Sequence, residues 1–319
     1  MRALECLLDY AASQARTDGA MPADVLDLLA KILTTGPARP AVAAAVGRRL
    51  PALHHHAPRF TADHRPALTA LDGSPTPAAA WLYTGPADVP LLAALDRRAL
   101  LAAPLNGAGG PVEHLAHALT ADPHSRGDPA DVLSQIAAGP GGPAAVSWLL
   151  QVIACRLYPE WGAIAAGRLN FTRPTARSAT EPERAVVTAV WRAALTAGLP
   201  TGALAGAGWF AHLDLDDAAW LPLARASAEH TPPHTPGTVA ERAAAHPVSR
   251  DALLLTARLV ARPANIWDPP TVPPHACSLF RGAAAALTDP ADTDAVTQLR
   301  DALINAGEAE IARIPAATD

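Results

Sequence analysis

Four times the chain repeats one short phrase: Pro22-Ala-Asp24-Val-Leu, Pro86-Ala-Asp88-Val, Pro129-Ala-Asp131-Val-Leu and Pro290-Ala-Asp292. Proline suits the first helical position, where its missing N–H would have had no partner. An aspartate in the first turn faces the positive end of the helix macrodipole. The phrase therefore marks helix starts. Its intervals are irregular, so it is a shared device rather than a strict repeat.

The rest of the chain agrees with that device. Half of the 319 residues are hydrophobic, and much of that half is Ala, the best helix former. The 32 Pro and 21 Gly fall mainly between apolar runs, as breakers do. β-branched and aromatic runs with period two are missing. The expectation is an all-α protein of antiparallel helix pairs. In residues 2–16, Leu4, Leu7, Leu8, Ala11 and Ala15 form one stripe. Further helices are expected over 22–35, 40–53, 66–71, 77–83, 88–103, 112–121, 129–138, 143–158, 159–168 and 182–197. Others follow over 238–245, 250–261, 277–287 and 291–306, with a frayed tail after Ile314. The polar stretch 170–181 is the candidate boundary. It divides residues 1–178 from residues 179–319, both all-α.

A formal net charge of −5, with scattered Arg and a single Lys (Lys31), argues against a nucleic-acid partner, which needs a basic face. Cys6, Cys155 and Cys277 are odd in number and far apart. A reducing, cytoplasmic setting follows. The first residues carry Glu5 and Asp9 inside their apolar run and make a poor signal peptide. The longest apolar run, 144–155, is too short to span a bilayer.

Chemistry concentrates in residues 209–229, WFAHLDLDDAAWLPLARASAE. Asp214, Asp216 and Asp217 crowd into four positions, with Trp209, Phe210 and Trp220 on either side and His212 between. One reading is structural. Asp214 or Asp216 would cap a helix and Asp217 would favour its dipole. Trp220, Leu223, Ala224 and Ser227 would face the core, and Pro222 would mark a kink or a delayed start. The other reading is chemical. Three carboxylates buried together cannot all ionise cheaply, so at least one pKa rises. A carboxylic acid kept neutral in an apolar pocket donates a proton well, and aromatic faces stabilise a nearby cation.

Asp214-Leu-Asp216-Asp217 resembles the Asp-x-Asp-Asp motif of class II terpene cyclases. Three further stretches resemble bacterial class II diterpene cyclases, in the family's order. They are Ser74-Pro-Thr-Pro-Ala-Ala-Ala-Trp-Leu82, Glu183-Arg-Ala-Val-Val-Thr-Ala-Val-Trp191 running on to Leu199, and Trp267-Asp-Pro-Pro-Thr-Val-Pro-Pro-His275. The resemblance implies an α/α-barrel-like arrangement, γ-like in residues 1–178 and β-like in residues 179–319; a HEAT-like α-solenoid is the alternative. It implies Asp216 as general acid with Asp214 and Asp217 as its hydrogen-bonding neighbours. Trp209, Phe210, His212, Trp220 and Trp267 would line the substrate pocket. The implied substrate is a linear prenyl diphosphate, farnesyl or geranylgeranyl, cyclised with the diphosphate retained and with Mg2+ as its helper. The chain is shorter than the usual two-barrel member and shows no clear Gln-Trp repeat. The barrel is then trimmed, or completed by another copy or a partner subunit, or the fold survives as a non-catalytic partner-binding scaffold.

Other candidates have simpler explanations. His54, His55 and His56 follow one another at a helix end, where a basic residue favours the dipole. His114 and His117, beside Glu113, are expected on the solvent side of their helix. Glu181 and Glu183 read as first-turn carboxylates, and the pairs Arg48-Arg49 and Arg97-Arg98 as solvated helix faces. Trp267 lies in a Pro-rich loop, either plugging a core gap or covering a pocket. No residue is assigned as a metal ligand.

Overall fold

The computed structural model describes residues 2–35, 40–102, 110–157, 180–200, 202–213, 215–230, 236–262, 272–286 and 290–314. Helices, joined by turns and loops, are the regular structure among these residues, which contain no strand; the one extended pairing among them is an isolated bridge between Ser125 and Gly127. The all-α expectation holds. None of the described helices is long and apolar enough to cross a membrane.

The chain forms two compact units, Met1–Leu149 and Leu150–Asp319. The division falls within the helix Gly142–Leu157. The boundary expected at 178–179 and the helix expected over 159–168 lie outside the described residues.

In the first unit the Pro-Ala-Asp phrase works in more than one register. Pro22 precedes the helix Ala23–Thr34, with Asp24 in its first turn. Asp88 caps the helix Val89–Ala94, its side chain accepting from the Leu91 N–H at 2.7 Å. Pro129 opens Pro129–Ala138, with Asp131 in the first turn and Asp128 as the cap. Two long helices expected here are each broken. Residues 40–53 split into Pro40–Gly47 and Leu50–His56. A continuous helix would drive the Pro51 ring into the Gly47 carbonyl four residues back. Gly47 also permits close contact with Pro77–Thr84, since a Cβ there would lie 2.5 Å from the Pro77 carbonyl oxygen. Residues 88–103 split at Leu95, after which Asp96 accepts from the Ala99 N–H at 2.8 Å and starts Arg97–Ala102. A helix at Pro58–Asp63 was not expected. The core holds Leu8, Leu29, Leu50, Leu53, Leu68, Trp81 and Leu91, each essentially inaccessible. Each such side chain stabilises the fold by about 1.5–3 kcal/mol relative to exposure.

A side-chain expectation also fails in this unit. His114, on Pro111–Ala121, is buried rather than solvent-facing. Its ring lies 4.2 Å from that of Trp81. Burial pushes its pKa down to about 4, so the imidazole is neutral at pH 7.

In the second unit the helices stack in two alternating rows. Asp217–His230 packs on Arg250–Val260, which packs on Pro290–Asn305; Pro236–Ala245 packs on Val272–Ala286. α/α barrels and HEAT-like solenoids share this pattern of helix on next-but-one helix. Arg225 Nε pairs with Asp251 at 2.8 Å, and Arg262 donates to the Ala228 carbonyl at 2.8 Å. Val272–Ala286 begins earlier than the expected 277. Pro273 and Pro274 sit in its first turn, where their missing N–H groups cost nothing.

Candidate functional site

The acidic segment is held from three sides. The helix Glu181–Thr196 starts with a capping box: the Thr180 N–H and hydroxyl both donate to Glu183 Oε2 at 2.8 Å. Glu183 is therefore a first-turn carboxylate, as expected. The helix presents Trp191 to Phe210, ring centroids 5.8 Å apart. Phe210 belongs to a 3-10 helix, Ala203–His212. Ten residues is long for that geometry. Its small residues, including the buried Gly206 and Gly208, let the tight turns lie inside the core.

Beyond it the chain passes Leu213, with Asp214 outside the described residues, and reaches Leu215 and Asp216. The Asp216 carbonyl accepts from the Ala219 and Trp220 N–H groups at 3.0 and 2.8 Å and so starts the helix Asp217–His230. Trp220 is wholly buried and donates its indole N–H to the Ala211 carbonyl at 2.8 Å. This ties the helix back onto the end of the 3-10 turn. Leu223, Ala224 and Ser227 are buried with it, as the structural reading of the segment expected. The helix starts at Asp217 although Pro222 lies inside it, so Pro222 does not delay the start.

The third support is a side chain that sequence reading did not single out. Arg242, on Pro236–Ala245, donates Nη1 to the Leu213 carbonyl and Nη2 to the Leu215 carbonyl, both at 2.7 Å. Its guanidinium also lies over the Trp220 ring, 4.1 Å from the centroid. The planar fork matches two carbonyls on either side of residue 214 while its face covers an indole. Thr238 and His246 flank Arg242 at spacings of four. Thr238 Oγ1 lies 3.3 Å from His212 Nδ1, and the His246 ring stacks on Trp220 at 5.8 Å. The only trace of this in the sequence is a Thr, an Arg and a His recurring every fourth residue along an Ala-rich helix.

The structure thus gathers Phe210, His212 and Trp220 around the turn, with Trp209 buried in the same 3-10 helix. The Asp216 side chain is exposed rather than enclosed. The side chain of Asp217 is not described, and Trp267 lies outside the described residues. His54, His55 and His56 occupy the last turn of Leu50–His56, which fits the dipole explanation. No group of three His, Cys, Asp or Glu among the described residues is placed to hold a metal ion. No family model, curated protein or solved structure matches the chain.

Proposed function

We propose that the chain is a class II-type terpene cyclase relative. It would cyclise a linear prenyl diphosphate by protonating the terminal alkene from the Asp216 carboxylic acid. The proton adds to one alkene carbon, the cation forms at the other, and ring closure follows with the diphosphate untouched; the cyclised cation then loses a proton to water, leaving a new alkene, and Asp216 takes a proton back from solvent. The observation that carries the reading is the backbone at Asp-Leu-Asp-Asp. Arg242 pins the Leu213 and Leu215 carbonyls and Trp220 the Ala211 carbonyl, beside buried aromatics; a turn fixed in this way would suit a general acid at Asp216. Because Asp216 is exposed, bound substrate must itself exclude water from the acid. Mg2+ enters as a companion of the diphosphate; no described cluster of this chain would hold it, and no step is assigned to it. A barrel completed by a second copy or partner subunit, in a cytoplasmic setting, belongs to the same proposal.

The test is incubation of the purified protein with farnesyl and geranylgeranyl diphosphates and Mg2+, followed by dephosphorylation and gas chromatography–mass spectrometry. A cyclic alcohol from wild type, absent with Asp216→Asn, is the expected result. Cyclisation that survives Asp216→Asn or Asp216→Ala defeats the assignment of the acid. The exposure of Asp216 favours a second reading, an α-helical module that binds a protein partner. No turnover of either substrate, together with an exposed apolar groove above roughly 400 Å2 on the full chain, would favour it.

A further inference from the structure

A pair of arginines in the first unit has no counter-ion among the described residues. Arg97 opens Arg97–Ala102, and Arg126 lies in the turn between Pro111–Ala121 and Pro129–Ala138. Arg126 is 7% exposed. Its Nη2 donates to the Leu92 carbonyl, but its Nε is buried with no hydrogen-bond partner. Arg97 is half-buried, and its Nε is likewise buried without a partner. Gly127 brings the two together. It has φ +100°, and a Cβ on it would lie 3.3 Å from Nη2 and 3.4 Å from Cζ of Arg97. The backbone beside Arg126 therefore lies against the Arg97 guanidinium. Burial, and then the charge of Arg97, lower the pKa of Arg126, yet a guanidinium keeps its proton at neutral pH.

The carboxylates nearest along the chain serve as caps of helices and turns. Asp88, Asp96, Asp122 and Asp128 each accept from a main-chain amide, at 2.7, 2.8, 2.9 and 2.7 Å. None of the carboxylates among the described residues pairs with Arg97 or Arg126. The segments 36–39 and 103–109 of this unit contain no Asp or Glu. Buried charges are ordinarily paired, because an unpaired one keeps its full desolvation cost.

We propose that Arg97 and Arg126 form an oxyanion site in the first unit, one that takes a doubly charged phosphoryl group. Two fixed positive charges match a phosphate dianion better than a single carboxylate, and phosphoryl oxygens accept from several N–H donors at once. The anion turns repulsion between the guanidiniums into two attractions. This inference is independent of the reading of the acidic segment.

The test uses the full chain at about pH 7.5, where phosphate is mainly the dianion. Thermal unfolding in sodium phosphate is compared with sodium chloride at equal ionic strength. Calorimetric titrations follow with inorganic phosphate, phenyl phosphate and acetate. Wild type should melt several degrees higher in phosphate and bind one phosphate, with acetate binding at least about tenfold more weakly. Arg97→Gln, at a half-buried position, should lose phosphate affinity by about tenfold or more. In chloride it should melt at or above wild type, because a like charge is gone, and in phosphate that order should reverse. Phenyl phosphate binding as well as phosphate means that the site reads the phosphoryl end of a larger molecule. Binding of inorganic phosphate alone means that it holds the free ion. Equal melting of wild type in the two salts overturns the proposal. So does an undiminished phosphate response in Arg97→Gln, or a large loss of stability by that variant in chloride.

Discussion

Trp81 in the first unit and Trp220 in the second are built alike up to their last contact. Both are wholly buried. Both tie a helix to nearby backbone through the indole N–H, Trp81 to the Pro86 carbonyl at 3.0 Å and Trp220 to the Ala211 carbonyl at 2.8 Å. Both carry a basic side chain on the ring, His114 at 4.2 Å and Arg242 at 4.1 Å. The difference lies in what else that side chain meets. Arg242 finds two carbonyls for its fork. His114 leaves Nδ1 without a partner; burial holds the ring neutral and outweighs backbone hydrogen bonds at Trp81 and Leu82 that favour the charged form. An indole face offers a cation only about 0.5–2 kcal/mol, less than the several kcal/mol of taking an ion out of water. A guanidinium keeps its proton at neutral pH, whereas an imidazole gives its proton up on burial; the backbone acceptors fix where the Arg242 fork sits.

The largest expected effect tests that conclusion directly. Arg242→Ala leaves the Leu213 and Leu215 carbonyls without their donors and uncovers Trp220. It should cost on the order of 4 kcal/mol in denaturant unfolding. Arg242→Lys should recover less than half of this, because an ammonium cannot serve both carbonyls and lie flat on the indole. A fully stable Lys variant would mean that the planar fork is not what holds the turn. The next effect is a pH dependence. The folded pKa of His114 is depressed from 6.5 to about 4, so the unfolded chain takes up the proton first as pH falls. Its contribution is complete above about pH 6.5 and is lost as pH falls through about 4, about 3 kcal/mol over the interval. His114→Phe should flatten the slope of stability against pH in that window. A slope unchanged in the variant would assign the dependence to other groups. Smaller again are Trp81→Phe and Trp220→Phe. Each leaves one carbonyl unmatched, at about 1–2 kcal/mol. Similar losses in the two variants would sharpen the likeness of the two indole anchors.

The helices were legible because apolar spacing and Pro-Ala-Asp starts are local signals. The break at Gly47–Leu50 was legible in principle from Pro51, yet Ala-rich periodicity on both sides masked it. The 3-10 helix Ala203–His212 was not legible, since a run of Ala and Gly has no polar face to set a period. In the candidate site, the burial of Trp220 and the helix start at Asp216–Asp217 followed from local pattern. The exposure of the Asp216 side chain did not, because it depends on what packs over the turn. Arg242 reads locally as a solvated helix charge; only the folded chain brings it to Leu213 and Leu215. His114 failed for the same reason, its burial being set by Trp81 on another helix. Arg97 likewise left its expected solvated face because Gly127 comes against it from a later turn.

A surface guanidinium supplies the lower limit of the series. Arg49 pairs with Asp9 through Nη2 at 2.5 Å, with both side chains more than a third exposed, and Arg48 lies 3.6 Å from Glu5 beside it. The hydrogen bond from Arg49 holds the Asp9 carboxyl below its ordinary range. That preference converts to little stability, because water competes for both partners and salt screens the pair. Arg49→Gln should cost no more than about 0.5 kcal/mol at neutral pH. The sign follows from the depressed carboxyl. The contribution is present above the unfolded pKa of about 3.8 and disappears as pH falls below it. Repeating the measurement at about 1 M salt should shrink the difference to within error, whereas the Arg242→Ala loss should persist, because buried contacts are screened far less. A loss at Arg49 comparable to that at Arg242 would mean that burial and backbone acceptors are not what separates these guanidiniums.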